Sequence, residues 1–442
     1  MSHPMKNYFR ELTAKLFVQL KSQEILLVNY EAEESDFCRF NQNKIRQAGH
    51  VIQQTLRIEL IYNNRECSAH FNLCGHLPND MQQCKTALTQ LRNQITHIPE
   101  NPFIHFLTEP KDSCYEGENR LPELEEIIPS QMNYAQSLDL VGIWASGSIT
   151  RGFANSIGQF NWHTDYNFNF DWSIHHQQDK AIKQNYAGSY WNLSEFQKKI
   201  DSARETLPLL SVKPKTIQPG KYRVFLTATA LHEILELLSW GGFGLKSHRT
   251  SQTPLLKMVK DNTALNEKVS IYEEHRKGLT PHFTQQGFLT PESVSLIENG
   301  YYKNCLNNNR SAKEYGETVN CSIEHPQSLW MKPGSLAQED ILQTLDTGLY
   351  ISNLWYCNYS DRNNCRITGM TRFACFWVEN GVAVAPVNVM RFDESIYQML
   401  GGNLIDLTKE NEQILDPSSY EKRSEASATL PGALIDNFTF TL

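Results

Sequence analysis

The sequence predicts an α+β fold: an N-terminal α/β domain, a strand-rich middle segment and a strand-rich C-terminal domain. Three patterns predict it. Apolar residues recur at helical spacing at the start of the chain, alternate with polar ones through long central stretches, and are punctuated by Pro, Gly and Asn at turns. A chain of 442 residues, 40% hydrophobic and 20% charged, is long enough for two or three domains with sizeable cores.

Taken in order, residues 5–21 read as a helix that mixes Lys6, Arg10, Glu11 and Lys15 with Leu12, Leu16, Phe17 and Leu20. No continuous apolar core of a signal peptide exists there. Ile25 to Glu33 and Val51 to Asn64 read as strands from their β-branched or alternating apolar positions, and 79–96 returns to helix. These make an N-terminal α/β domain, 1–98. Residues 99–133 carry Pro99, Pro102, Pro110, Pro122, Pro129 and the acidic run 123–126, and read as a connector.

The middle domain is expected over 134–217. Strands dominate 136–176, where Phe168, Phe170 and Trp172 share one face by period two; core packing is expected of them. His163, His175 and His176 lie in the same stretch and raise a metal reading that this packing outweighs. A helix follows over 192–210, with Ser194 and Gln197 at capping-box spacing. Residues 213–221 link it to a β-rich C-terminal domain, 218–442. There Asn380-Gly381 has the chemistry of a tight hairpin.

Net charge is −8, with a pI near 6.0. A nucleic-acid surface needs clustered Lys and Arg to displace counterions, and Lys213 and Lys215 in the linker read as solvated instead. No apolar run approaches the ~18 residues of a membrane span, so a cytoplasmic, membrane-free protein is expected. The ten cysteines form no C-x-x-C and read as free thiols of a reducing compartment. Cys357, Cys365 and Cys375 are close enough in sequence for a strand-turn-strand to bring two together.

Chemistry is concentrated in residues 221–241. Tyr222 to Leu226 read as a buried strand, Thr227 and Thr229 as helix starters, and Leu231, Ile234, Leu235 and Leu238 as the core face of the helix that follows. At about 100° per residue, His232 and Glu236 share one side and Glu233 and Leu237 a neighbouring one. A zinc peptidase needs several N, O or S ligands, an open position for water and a Glu to take the water's proton. His232 offers one ligand and Glu233 one base. The alternatives are first-turn helix residues without catalytic duty, Glu233 being favoured there by the helix dipole, and a rearranged site in which His232 and Glu236 form an i, i+4 ligand pair.

Around this helix the chain resembles the TldD/PmbA family of metallopeptidase-related proteins. The resemblance runs through GSITRGFANSIG (147–158), with its Asn155-Ser156-x-Gly158 turn, through GLTPHFTQQGFLTPESVSLIENG (278–300), and most strongly through GLYISNLWY and TGMTRFACFWVENGVAVAPV within 348–387. A weaker echo lies at Phe37 to Gly49.

The family's catalytic branch carries His-Glu-x-x-x-His and a late Cys; its TldE (PmbA) partner branch lacks that set. Here the first His falls on His232 and the base on Glu233, but the second His falls on Leu237 and no Cys follows Cys375. The resemblance therefore implies a TldE-like, non-catalytic subunit of a complex that cleaves unfolded or precursor peptides. Its partner would be a TldD-like chain, or a second copy of itself in a dimer. No cofactor is expected of it. The alternatives are a free-standing divergent zinc metallopeptidase and a non-enzymatic peptide-binding protein. Nothing basic or nucleotide-binding in the sequence supports the family's association with DNA gyrase modulation.

Overall fold

The computed structural model describes residues 2–176 and 180–441. Helix α1 (Ser2–Phe17) leads into β1 (Ile25–Asn41), β2 (Lys44–Tyr62) and β3 (Arg65–Asn72), followed by α2 (Leu77–Ile95). The first helix ends before residue 21: Gln19 and Leu20 bond back to Leu16 and Phe17 in tight turns, and Val18 is 80% exposed. The strands are longer than their alternation suggests, because two turns with positive φ, at Gln42-Asn43 and Asn63-Asn64, fold the chain into successive hairpins.

The segment read as connector contains β4 (Ser113–Glu116) and α3 (Leu124–Tyr134). Strands β5 (Asp139–Asn155), β6 (Phe160–His176) and β7 (Lys180–Gly188) follow. One seven-stranded sheet, β3-β2-β1-β5-β6-β4 with β7 also on β6, runs through both segments expected as separate domains, 1–98 and 134–217. β1 pairs with β5 from Leu27↔Asn155 to Phe40↔Gly142. Alternation shows that a strand has a buried face; it does not show which strand will be its neighbour.

On one face of this sheet Trp144, Phe168, Phe170 and Trp172 are fully buried. They pack against α4 (Leu193–Thr206), whose Phe196 and Ile200 enter the same core. The cap of α4 is Asn192, whose side chain accepts from the Ser194 amide at 3.0 Å, so the expected Ser194–Gln197 box does not form. A 3₁₀ turn over Leu207–Ser211 completes the helical stretch expected to 210.

The second sheet begins with β8 (Gly220–Leu226), which leads directly into α5 (Ala228–Gly242). Its further strands are β9 (Ile271–Glu273), β10 (Val294–Glu298), β11 (Tyr301–Tyr302), β12 (Ser328–Met331), β13 (Gly348–Ile351), β14 (Asn353–Asp361), β15 (Arg366–Arg372), β16 (Phe376–Glu379), β17 (Val382–Pro386), β18 (Arg391–Ser395), β19 (Leu404–Leu415) and β20 (Ser427–Phe440). The order is β11-β10-β9-β12-β20-β8-β13-β16-β17, with β14, β15, β18 and β19 joined off that path. β8 lies between β20 and β13. As a central strand it is buried at Val224 and Leu226, which places the start of α5 in the middle of the molecule.

The expected Asn380-Gly381 hairpin joins β16 and β17 with positive φ at both residues, 49° and 76°. The Asn155 turn joins β5 and β6, its carboxamide oxygen accepting from the Ile157 and Gln159 amides. All ten cysteines are unpaired thiols. Lys215 of the linker is held by Glu379 at 2.7 Å and lies over Trp377. No described helix is long and apolar enough to cross a membrane.

The two sheets are tied together by the segment between β19 and β20, residues 416–426. Its Arg423 is buried against the first sheet: Nε donates to Ser35 at 2.8 Å and stands 3.5 Å from Glu33, and Nη1 donates to the Asn167 side chain at 2.7 Å. Arg151 of β5 reaches Glu425 at 2.5 Å. Burial lowers the Arg423 pKa to about 10.

Candidate functional site

Helix α5 is positioned from its first residue. The Thr227 hydroxyl donates to the Ser352 carbonyl at 2.7 Å and accepts from the Ala230 amide at 3.2 Å. One side chain thus caps the helix and fastens it to the end of β13. Leu231, Ile234, Leu235 and Leu238 are buried in the C-terminal core, which turns the opposite face of α5 toward a cavity of about 480 Å³. His232, Glu233 and Glu236 line that cavity together. The helical spacing read from the sequence sets Glu233 with Leu237 on a neighbouring side; in the structure Glu233 shares the wall with His232 and Glu236, and Leu237 does not.

His325, Arg372, Trp355, Phe373 and Asp416 also line it. Sequence reasoning missed all five, because they come from separate turns and strands with no fixed spacing to α5. His325 Nε2 lies 3.3 Å from Glu236 Oε1, and its Nδ1 lies 3.0 Å from the Pro326 carbonyl. The Glu236 carboxylate raises the His325 pKa, and the imidazole lowers that of Glu236. Burial pushes the His232 pKa down, so its ring favours the neutral form. Burial also raises Glu233, with Glu236 adding to the rise and Arg372 opposing it.

As a metal centre this arrangement is incomplete. Leu237 does not line the cavity; it packs against the C-terminal core, and its carbonyl accepts from Tyr359 at 3.0 Å. Both His325 nitrogens face acceptors, the Glu236 carboxylate and the Pro326 carbonyl, which favours the protonated ring over a metal ligand. Among the described residues no three His, Cys, Asp or Glu side chains are arranged to hold an ion, so the donors present do not fit a hydrolytic zinc. His163, His175 and His176 also do not converge: His163 is buried beneath Tyr115 with Nε2 3.2 Å from the Leu279 carbonyl, and His176 Nε2 lies 2.7 Å from the Ser211 hydroxyl.

The cavity is walled on one side by 416 and 417 and on another by Lys183, Gln184 and Asn185 of β7. Lys183 is paired with Asp171, and Asp416 accepts from the Ser418 amide.

The model of the PmbA/TldA metallopeptidase C-terminal domain matches residues 219–442. No curated protein matches the sequence. Among solved structures, TldE from Thermococcus kodakarensis superposes with a TM-score of 0.77 at 16% identity, over 99% of this chain and 100% of its own. A candidate modulator of DNA gyrase from Thermotoga maritima gives 0.74 at 16%, over 98% and 100%. One from Bacteroides thetaiotaomicron gives 0.73 at 13%, over 99% and 98%. At such identities the superpositions speak for the fold, and the domain match over half the chain for descent: this protein belongs to the TldD/PmbA family.

Proposed function

We propose that this chain is a TldE-like, non-catalytic subunit that shapes a cleft for an unfolded or precursor peptide, while a TldD-like partner with an intact His-Glu-x-x-x-His supplies metal and base. One observation carries the reading: α5 keeps His232 and Glu233 on the cavity wall, but turns Leu237 into the core. His232 alone gives a metal at this position one imidazole, with Glu233 as base, which is fewer ligands than a hydrolytic zinc needs. The open edge of β7 supports a peptide as the occupant. Among the described strands β7 pairs with β6 alone, and its residues 183–185 line the cavity. An extended chain could find backbone donors and acceptors there.

The test is zinc content and peptide cleavage by tag-free protein, alone and with a TldD-like chain. Less than stoichiometric zinc, no cleavage alone and cleavage with the partner are expected, with Glu233→Ala changing none of these. About one zinc per chain, or a roughly hundredfold fall in activity of the isolated chain on Glu233→Ala, would instead make it a free-standing peptidase built on His232, Glu236 and His325.

A further inference from the structure

The charged groups of the cavity can be sorted by partner. Asp171 holds Lys183, Glu236 holds His325, and Asp416 caps the Ser418 amide. Arg372 is different. Its guanidinium carbon lies 3.8 Å from the centre of the Trp355 ring and 4.9 Å from that of Phe373. Among the described residues, no oxygen accepts a hydrogen bond from it. Glu233 is near enough to feel its charge but forms no ion pair with it. The aromatic faces fix the plane of the fork and leave its N–H donors unspent.

The backbone at this point is also unusual. Phe373 has φ of 59° and Tyr356 φ of 57°, a left-handed conformation that bulky residues rarely adopt. Such strain clusters where a site must be held in one shape. The Tyr356 kink is a bulge in the β14–β15 pairing between Trp355 and Asn358, and it sets Trp355 against Tyr356 edge to face at 4.6 Å. Trp355 remains 46% exposed at the cavity.

We infer that Arg372, clamped by Trp355 and Phe373, is a carboxylate receptor that takes either the terminal α-carboxylate or an acidic side chain of the bound peptide. A planar fork with free donors matches a carboxylate in two parallel hydrogen bonds, and the ring of Trp355 offers the adjoining residue an apolar face. The inference rests on the reading of the cavity as a peptide cleft.

The test is calorimetric titration of the full chain with an unstructured octapeptide in three forms: free acid, C-terminal amide, and amide with one internal Glu. N-acetylglycine and N-acetylglycinamide are titrated alongside. The free acid should bind at least about tenfold more tightly than the amide, as expected for a charge-assisted pair. Arg372→Met should abolish that preference and leave amide affinity unchanged. Arg372→Lys, which keeps charge without the fork, should retain part of it. Matching melting curves show that the variants are folded.

Recovery of affinity by the internal Glu assigns the receptor to acidic side chains; no recovery assigns it to the chain terminus. Equal binding of acid and amide by the wild type, or a preference that survives Arg372→Met, overturns the proposal while leaving the peptide cleft intact. If no peptide binds but N-acetylglycine binds through Arg372, the receptor stands and the peptide reading falls. If no carboxylate binds at all, the receptor is refuted.

Discussion

Replacing Glu273 by Gln should stabilise the protein at pH 8 and leave it nearly unchanged at pH 5. Glu273, at the end of β9, is 1% exposed. Its carboxyl oxygens stand 3.0–3.1 Å from the amides of Gln327 and Ser328, just after His325. On its other side Oε1 is 3.4 Å from His275 Nε2. His275 Nδ1 lies 2.9 Å from the Pro291 carbonyl and so carries a proton, and burial lowers the pKa of the ring to about 4. Its Nε2 is then a bare lone pair, and the shared proton must belong to Glu273.

Burial raises Glu273 from 4.5 to about 7, against the opposing pull of the two amides. In the unfolded chain Glu273 ionises as pH passes its ordinary value; in the folded chain it does so only near 7. Stability present below about pH 4.5 is therefore lost as pH rises to 7, and at about 1.4 kcal/mol per pH unit this amounts to about 3 kcal/mol. His275 acts with the opposite sign between about pH 4 and 6.5, which is why the comparison of variant with wild type is the informative one. A Gln can accept both amides on its oxygen and donate its NH₂ to His275 without titrating. For a unit of this size, about 3 kcal/mol is roughly 6–12 °C in melting temperature. Differential scanning calorimetry of both proteins at pH 5, 6, 7 and 8 should show the gap opening with pH. A constant gap, or a variant that melts lower at pH 8, would refute the protonated carboxyl.

Arg423→Ala should cost about 3–5 kcal/mol, because it leaves Glu33 buried without its cation; urea unfolding measures it, and a change under 1 kcal/mol would mean that segment 416–426 is not locked to the first sheet. Gly381→Val should cost about 1–2 kcal/mol, since Gly381 has φ of 76° and the new Cβ meets only the flexible end of Gln343; an unchanged melting temperature would contradict the hairpin's strained turn.

The sequence by itself determined what depends on local chemistry. Period-two aromatics marked the buried face at Phe168, Phe170 and Trp172, Asn-Gly marked the 380–381 hairpin, and the 3.6 period of α5 placed His232 and Glu236 on one side, because side-chain direction follows from backbone geometry alone. The family was legible for the same reason: its motifs are turns and strand starts. What only the tertiary structure decided is what joins distant residues. Strand pairing merged 1–98 and 134–217 into one sheet, because each strand's hydrogen bonds go to whichever edge the chain brings beside it. His325, Arg372 and Asp416 reached the cavity from three unrelated turns and strands, and the burial that lowers the His232 pKa and raises that of Glu273 exists only in the folded chain.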